Sequence, residues 1–144
     1  MSKHTIQRYM TVNPIVISSQ RTLSEAHQTM REHGIRHLPV VDAGRLVGVV
    51  SQRDLYLLGT LHGVDATSET VEEAMTPEPY TVPPDASIEE VAREMAQHKY
   101  GSALVVDRGA VVGIFTSIDG LRALSSVLRR GHPVSPGSVP GRPS

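Results

Sequence analysis

Two four-residue stretches carry the groups best suited to chemistry: Ser51-Gln52-Arg53-Asp54 and Thr116-Ser117-Ile118-Asp119, standing 65 positions apart. Each offers a hydroxyl and, three residues on, a carboxylate, and the first adds a guanidinium. An ionised carboxylate has two acceptor oxygens and no donor, which matches a vicinal diol. A guanidinium is a planar fork of donors that stays charged, which suits phosphate. Arg36 and His37 add a second guanidinium and an imidazole, whose ordinary pKa of about 6.5 can make anion affinity depend on pH. Each group also has a plainer use. Asp54 and Asp119 can cap the helices that follow them, and His37 can sit at the edge of a core with one backbone partner.

These stretches end a longer duplication. Gly34 to Asp54 reads as two apolar strands around Asp42-Ala43-Gly44, and Tyr100 to Asp119 repeats it around Asp107-Arg108-Gly109, with Asp42–Asp54 mapping onto Asp107–Asp119 without a gap. Glycine in such short loops supplies the positive φ that a tight hairpin needs. Upstream, Met10-Thr11 and Pro14 recur as Met75-Thr76 and Pro79. The β-prone runs Ile15-Val16-Ile17 and Tyr80-Thr81-Val82 lead into helices that open on Thr22 with Glu25 and on Ser87 with Glu90, both spaced as capping boxes. Leu23, Ala26 and Met30, like Ile88, Val91 and Met95, recur at helical spacing and mark packing faces.

Gly34 is placed to end the first of these helices in a left-handed conformation, and Gly101 lies near the end of the second. Short helices are predicted from Thr5 to Met10 and from Thr70 to Met75, the latter with Thr70 and Glu73 as a capping box. Closing helices follow Asp54 and Asp119; in the second, Leu121, Leu124 and Leu128 form a stripe that serves either core or a dimer surface. Each repeat is therefore β-α-β-β-α and the fold class is α+β. The chain divides into a first repeat over 1–62, a linker and second repeat over 63–130, and a Pro/Gly/Ser-rich tail over 131–144. The tail has too little apolar content to order itself and is expected to be disordered.

Composition narrows the function classes. A compact fold of 144 residues buries roughly 68–70% of its unfolded surface, so a core forms without staples. There is no cysteine, hence no disulfide, thiolate metal site or thiol nucleophile. Fourteen basic against fifteen acidic side chains leave a charge of −1, so no global field attracts nucleic acid or an anionic membrane, and any anion site must be local. Only four tyrosines and one phenylalanine are available to stack on bases, which further disfavours nucleic acid. With no run approaching a membrane span and no signal-peptide core, the expectation is a cytoplasmic protein.

The duplicated pattern resembles a tandem pair of CBS domains, a Bateman module. The residues that carry the resemblance are Met10-Thr11 with Pro14, Leu38-Pro39-Val40-Val41-Asp42, Gly48-Val49-Val50-Ser51-Gln52-Arg53-Asp54, and their partners Met75-Thr76 with Pro79 and Gly113-Ile114-Phe115-Thr116-Ser117-Ile118-Asp119. Each motif alone is weak, but their order, doubled at one offset, is specific. The resemblance implies two repeats packed about a pseudo-twofold axis, two clefts between them, and dimerisation through helices into a homodimer. It implies adenosine-containing ligands in the clefts (AMP, ADP, ATP or S-adenosylmethionine) and regulation of an attached or separate protein, as an energy sensor does.

On that resemblance, Asp54 and Asp119 hold ribose hydroxyls. Ser51, Thr116, Arg53, Arg36 and His37 donate to phosphate. Arg36-His37 and Gly101-Ser102 stand near the middle of the module, with Arg36 expected to serve the cleft of Asp119. Ile15 and Tyr80 line adenine pockets, although by periodicity they are strand core. Leu104 in place of a second proline, Ile118 opposite Arg53, and Gly101-Ser102 opposite Arg36-His37 make the clefts unequal.

Two other readings stand beside this one. No Gly-rich phosphate loop, His-Glu-x-x-His helix or Gly-x-Ser-x-Gly elbow is present, so no enzyme is expected. A ligand-free dimerisation or adaptor module is the serious alternative, because degenerate clefts can persist in a fold kept for its interfaces.

Overall fold

The computed structural model describes residues 4–61 and 63–131; the predicted disorder of the tail falls, from residue 132 on, outside the described residues. After a 3-10 turn at Ile6–Arg8 come β1 (Thr11–Val12), β2 (Ile17–Ser18), α1 (Leu23–His33), β3 (His37–Asp42), β4 (Arg45–Ser51) and α2 (Gln52–Gly59). The second half repeats this as α3 (Val71–Ala74), β5 (Thr76–Pro77), β6 (Thr81–Val82), α4 (Ile88–His98), β7 (Ser102–Asp107), β8 (Ala110–Thr116) and α5 (Ser117–Gly131). No helix of the described residues is long and apolar enough to cross a membrane.

Local chemistry explains most boundaries. Thr22 and Glu25 form a complete capping box, Glu25 N–H donating to Thr22 Oγ1 at 3.1 Å and Thr22 N–H to Glu25 Oε1 at 2.9 Å. Ser87 supplies one half, accepting from Glu90 N–H. Thr70, which opens a helix of a single turn and whose backbone bridges Thr22, makes no side-chain cap, contrary to its spacing. Both hairpin loops have two consecutive positive φ angles, Ala43 with Gly44 and Arg108 with Gly109, the geometry of the tightest hairpins. Gly34 ends α1 at φ 64°. The residue that ends α4 in the same conformation is Lys99, at φ 59°, not Gly101.

The strands form two four-stranded sheets, ordered β2-β3-β4-β5 and β1-β8-β7-β6. Each edge next to a central hairpin is donated by the other repeat: β5 pairs with β4, setting Pro77 opposite Gly48, and β1 pairs with β8, setting Val12 opposite Gly113. The cores follow the same exchange. Val71 is buried among Leu23, Leu38 and Val50 of the first core, and Ile6 among Val91, Val105 and Phe115 of the second. Sequence repeats and packed cores therefore have different boundaries.

The leucine stripe of α5 points outward: Leu121, Leu124 and Leu128 are exposed while Ala123 is buried. Tyr56 and Leu57 of α2 are exposed as well.

The exchanged strands explain the glycines at 48 and 113. A Cβ on Gly48 would lie 2.6 Å from Met75 Sδ and 2.8 Å from the carbonyl oxygen of Thr76; a Cβ on Gly113 would collide with Met10. A strand glycine here lets a neighbouring backbone approach closely. Gly48→Ala is expected to cost about 1–3 kcal/mol, the usual penalty of overpacking. Gly59→Ala, with open space around it, is expected to be neutral or stabilising by up to about 1 kcal/mol. Urea unfolding of the two variants checks the contrast; equal midpoints would contradict the close-approach explanation.

Candidate functional site

At the end of β4 the chain turns into α2 through Ser51, whose extended backbone makes it the N-cap. Asp54 N–H donates to Ser51 Oγ at 3.0 Å, and Ser51 N–H donates to Asp54 Oδ2 at 2.9 Å. The hydroxyl-carboxylate spacing read as a ligand motif is thus also a capping box, with the aspartate at the third helical position. Neither aspartate is the N-cap itself. In the second repeat, Thr116 N–H and Thr116 Oγ1 both donate to Asp119 Oδ2, at 2.9 and 3.3 Å.

A capping box uses one oxygen of each carboxylate, so the other decides what the residue can do. Asp54 is half-buried, and its Oδ1 has no protein donor among the described residues. Asp119 is only 5% exposed, and its Oδ1 accepts from Thr11 Oγ1 at 3.1 Å and faces Arg122 Nη1 at 3.7 Å.

Asp54 borders a cleft of about 600 Å³. Ser51 and Arg53 line it with Asp54, and so do Thr76, Glu78, Pro79 and Tyr80, which the exchanged strand brings to it. Arg36, His37 and the turn from Lys99 to Ser102 close the inner end, where the first residues of α2 and α5, Gln52 and Ser117, also reach the cavity. Three cations, Arg36, Arg53 and Lys99, therefore face two acids, Asp54 and Glu78. Lys99 holds a left-handed backbone, which costs a non-glycine residue roughly 1–2 kcal/mol, and it does so at the cavity.

Aromatic groups supply the apolar surface. Tyr80 stacks on Tyr100 with ring centroids 5.1 Å apart at 27°, and Tyr100 on His98 at 5.1 Å and 19°. Burial, with help from Glu94 and Glu90, raises the Tyr80 phenol above its ordinary value, so it remains a neutral donor.

His37 gives a steric reason for the unequal centre. Positions 36–37 correspond to 101–102 at the repeat offset, and a Cβ on Gly101 would stand 3.1 Å from His37 Nε2. The imidazole thus occupies the space that a side chain from the second repeat would need. Burial lowers the His37 pKa below 6.5, Asp54 opposes that shift, and Arg36 adds to it.

The structure gathers Ser51, Arg53, Asp54, Arg36, His37, Tyr80, Gly101 and Ser102 around one cavity. It does not bring Ile15, Thr116 or Asp119 to it: Ile15 packs against the first core, and the other two lie in the second repeat's corner. Arg36, expected to serve the cleft of Asp119, lines the cavity that Asp54 lines, at the residue before β3. Lys99, Tyr100, Thr76 and Glu78 were not predicted as site residues. Lys99 had a signal, since it aligns with Gly34 at the repeat offset.

Comparison with known proteins agrees with this architecture. The CBS domain family model matches residues 6–58 and 71–126. Inosine-5'-monophosphate dehydrogenase of Korarchaeum cryptofilum is 33% identical over 129 residues, 89% of this chain but 25% of that protein, so the chain spans about a quarter of that relative's length. CBS domain-containing protein YhcV of Bacillus subtilis is 33% identical over 110 residues, 76% of this chain and 78% of that protein. Among solved structures, CBSX2 in complex with AMP is similar at TM-score 0.74 and 29% identity, over 88% of this chain and 99% of that one. The CBS domain pair of protein MJ0100 in complex with 5'-methylthioadenosine and S-adenosyl-L-methionine is similar at TM-score 0.75 and 31% identity, over 85% and 96%.

The histidine offers a direct check of the cleft. A histidine held neutral by folding contributes stability that is complete above the unfolded value and is lost as pH falls below it. Proton NMR should give His37 a midpoint below 6.5, and unfolding free energy should fall less steeply between about pH 7 and pH 5 in His37→Gln than in the wild type. A His37 midpoint at or above 6.5 would contradict its burial.

Proposed function

This chain belongs to the CBS domain family, and on that premise we propose that it is a regulatory module that binds an adenine nucleotide in the Asp54 cleft and signals to a partner protein. The observation that carries this reading is the pairing, in one cavity, of a carboxylate oxygen without a protein donor among the described residues and three cationic side chains. Asp54 Oδ1 accepts from the ribose hydroxyls. The stacked Tyr80–Tyr100 pair offers the adenine an apolar face. Arg36, Arg53 and Lys99 hold phosphate, with Ser51 and Ser102 as neutral donors. A cavity of about 600 Å³ is of the size that small-molecule ligands use.

AMP, ADP and ATP are favoured over S-adenosylmethionine by the cations, which would repel a sulfonium. The bound ligands of the CBSX2 and MJ0100 structures support the adenosyl class as a whole. CBS pairs are regulatory rather than catalytic modules, and each group assigned here binds rather than reacts. A ligand held only by the folded form stabilises it, by about 2.7 kcal/mol at one hundred times Kd. Signalling follows if the filled and empty clefts present different surfaces to a partner. The outward leucines of α5, with Tyr56 and Leu57 of α2, are the surface through which we propose that the chain forms a homodimer; the purely adaptor reading rests on the same surface.

Isothermal titration with AMP, ATP and S-adenosylmethionine tests the proposal. Saturable binding of AMP or ATP is expected, weakened at least about tenfold by Asp54→Ala, as loss of hydrogen bonds to a charged group implies. Arg36→Ala should weaken the phosphorylated ligands and spare S-adenosylmethionine. No binding of any of the three would favour the adaptor reading.

A further inference from the structure

We infer that the module has a single ligand site, because Asp119 is not a second sugar acceptor but the centre of a clasp that fastens β1 across the second repeat. This inference rests, for its ligand, on the reading of the Asp54 cleft. The two carboxylates begin alike: each accepts the backbone N–H of the residue three before it. They part at the other oxygen. Asp119 Oδ1 is taken by the Thr11 hydroxyl at 3.1 Å, with Arg122 at 3.7 Å, and the group is almost wholly buried.

The repeat offset shows why only one corner closes. Arg122 corresponds to Leu57, which is apolar and exposed and offers Asp54 nothing. Thr11 corresponds to Thr76, which lines the Asp54 cleft but makes no hydrogen bond to Asp54 among the described residues. Ile118 corresponds to Arg53, so the second corner also lacks the cation that stands beside the first. A ligand diol reaching Asp119 would have to displace a hydroxyl already in place, exchanging one hydrogen bond for another. It would also strip β1 of the only side-chain bond tying Thr11 to α5 among the described residues.

The clasp has a structural return. β1 is a two-residue strand whose two residues are both exposed; Met10 packs on Gly113 before it and Asn13 N–H donates to the Val112 carbonyl after it, and the Thr11–Asp119 bond adds the side-chain tie to α5. The Thr11–Asp119 bond spans 108 residues of sequence and ties the N-terminal segment to the first turn of α5. What the second repeat gives up in binding it regains as anchorage of its borrowed edge.

Two readouts on the full chain test this. Native mass spectrometry with AMP should show one equivalent per wild-type chain. The Thr11→Val/Arg122→Leu variant leaves Asp119 with only the bonds made by Thr116, and with adenosine, whose diol needs no cation, it should take up one equivalent more than the wild type, a gain that adding Asp119→Ala removes. The same double variant should lower the unfolding midpoint by about 3–8 °C, the loss of one charge-assisted hydrogen bond in a domain of this size. Two equivalents on the wild type, or no gain in the double variant, would overturn closure of the second corner. If the wild type binds neither AMP, ATP nor S-adenosylmethionine, the reading of the Asp54 cleft fails. The clasp is then judged by the midpoint alone, and an unchanged midpoint overturns it.

Discussion

Thioether on glycine is the contact on which the clefts depend. Met75 lies on Gly48 and Met10 on Gly113, at the points where each repeat lends an edge strand to the other's sheet. Because those two positions carry no Cβ, β5 can close on β4 and β1 on β8. That closure carries Thr76 to Tyr80 to the cavity that Asp54 lines. The cleft is therefore a product of the exchange: a first repeat folded on its own would hold Ser51, Arg53 and Asp54 but would lack the lining from Thr76, Glu78, Pro79 and Tyr80. The same exchange puts Ile6 and Val71 into cores that their sequence neighbours do not share, so burial of one residue in each half commits the two halves to one fold.

In the proposed site, folding and recognition use the same hydrogen bonds at Asp54. The Ser51–Asp54 box satisfies an orphan donor at the start of α2 and fixes the carboxylate's rotamer in doing so. A side chain already held by one oxygen presents the other at low entropic cost, which is the advantage of preorganisation in binding. The capping and ligand readings of the motif are consequently not rivals. Which one an aspartate ends with depends on whether its second oxygen is left open.

Much of the fold was legible in the sequence because duplication doubles every weak signal. The offset of 65 residues located β3, β4 and the helices, and the turn chemistry of Asp42-Ala43-Gly44 needed no structure to be read. The exchange of β1 and β5 was not legible. Two-residue strands carry no periodicity, and nothing local in Met10-Thr11 tells which sheet it joins. The site divided in the same way. Residues next to the repeated motifs, such as Ser51, Asp54 and Tyr80, were visible, whereas Thr76 and Glu78 enter only through the exchange and Lys99 through an αL turn that glycine would have signalled. Arg36 was expected to serve Asp119 and lines the cavity that Asp54 lines; a position near the pseudo-axis has two clefts to choose from, and motif spacing does not decide between them.

Near that axis a duplicated fold cannot stay symmetric once a large group arrives. A side chain at position 101, the counterpart of Arg36, would compete with His37 for one space, and the chain avoids the conflict with a glycine there. The imidazole then belongs to one cleft, where Asp54 and Arg36 act on it from opposite sides of its titration. Arg36 follows the histidine into that cleft, so the second repeat is left without either group. A second corner without Arg36 or a counterpart of Arg53 gains little from an open carboxylate, since an unpaired buried charge costs several kcal/mol. Closing it with Thr11 and Arg122 is the physical sequel to the glycine at 101: a steric choice at the centre of the module becomes a difference in charge at its periphery.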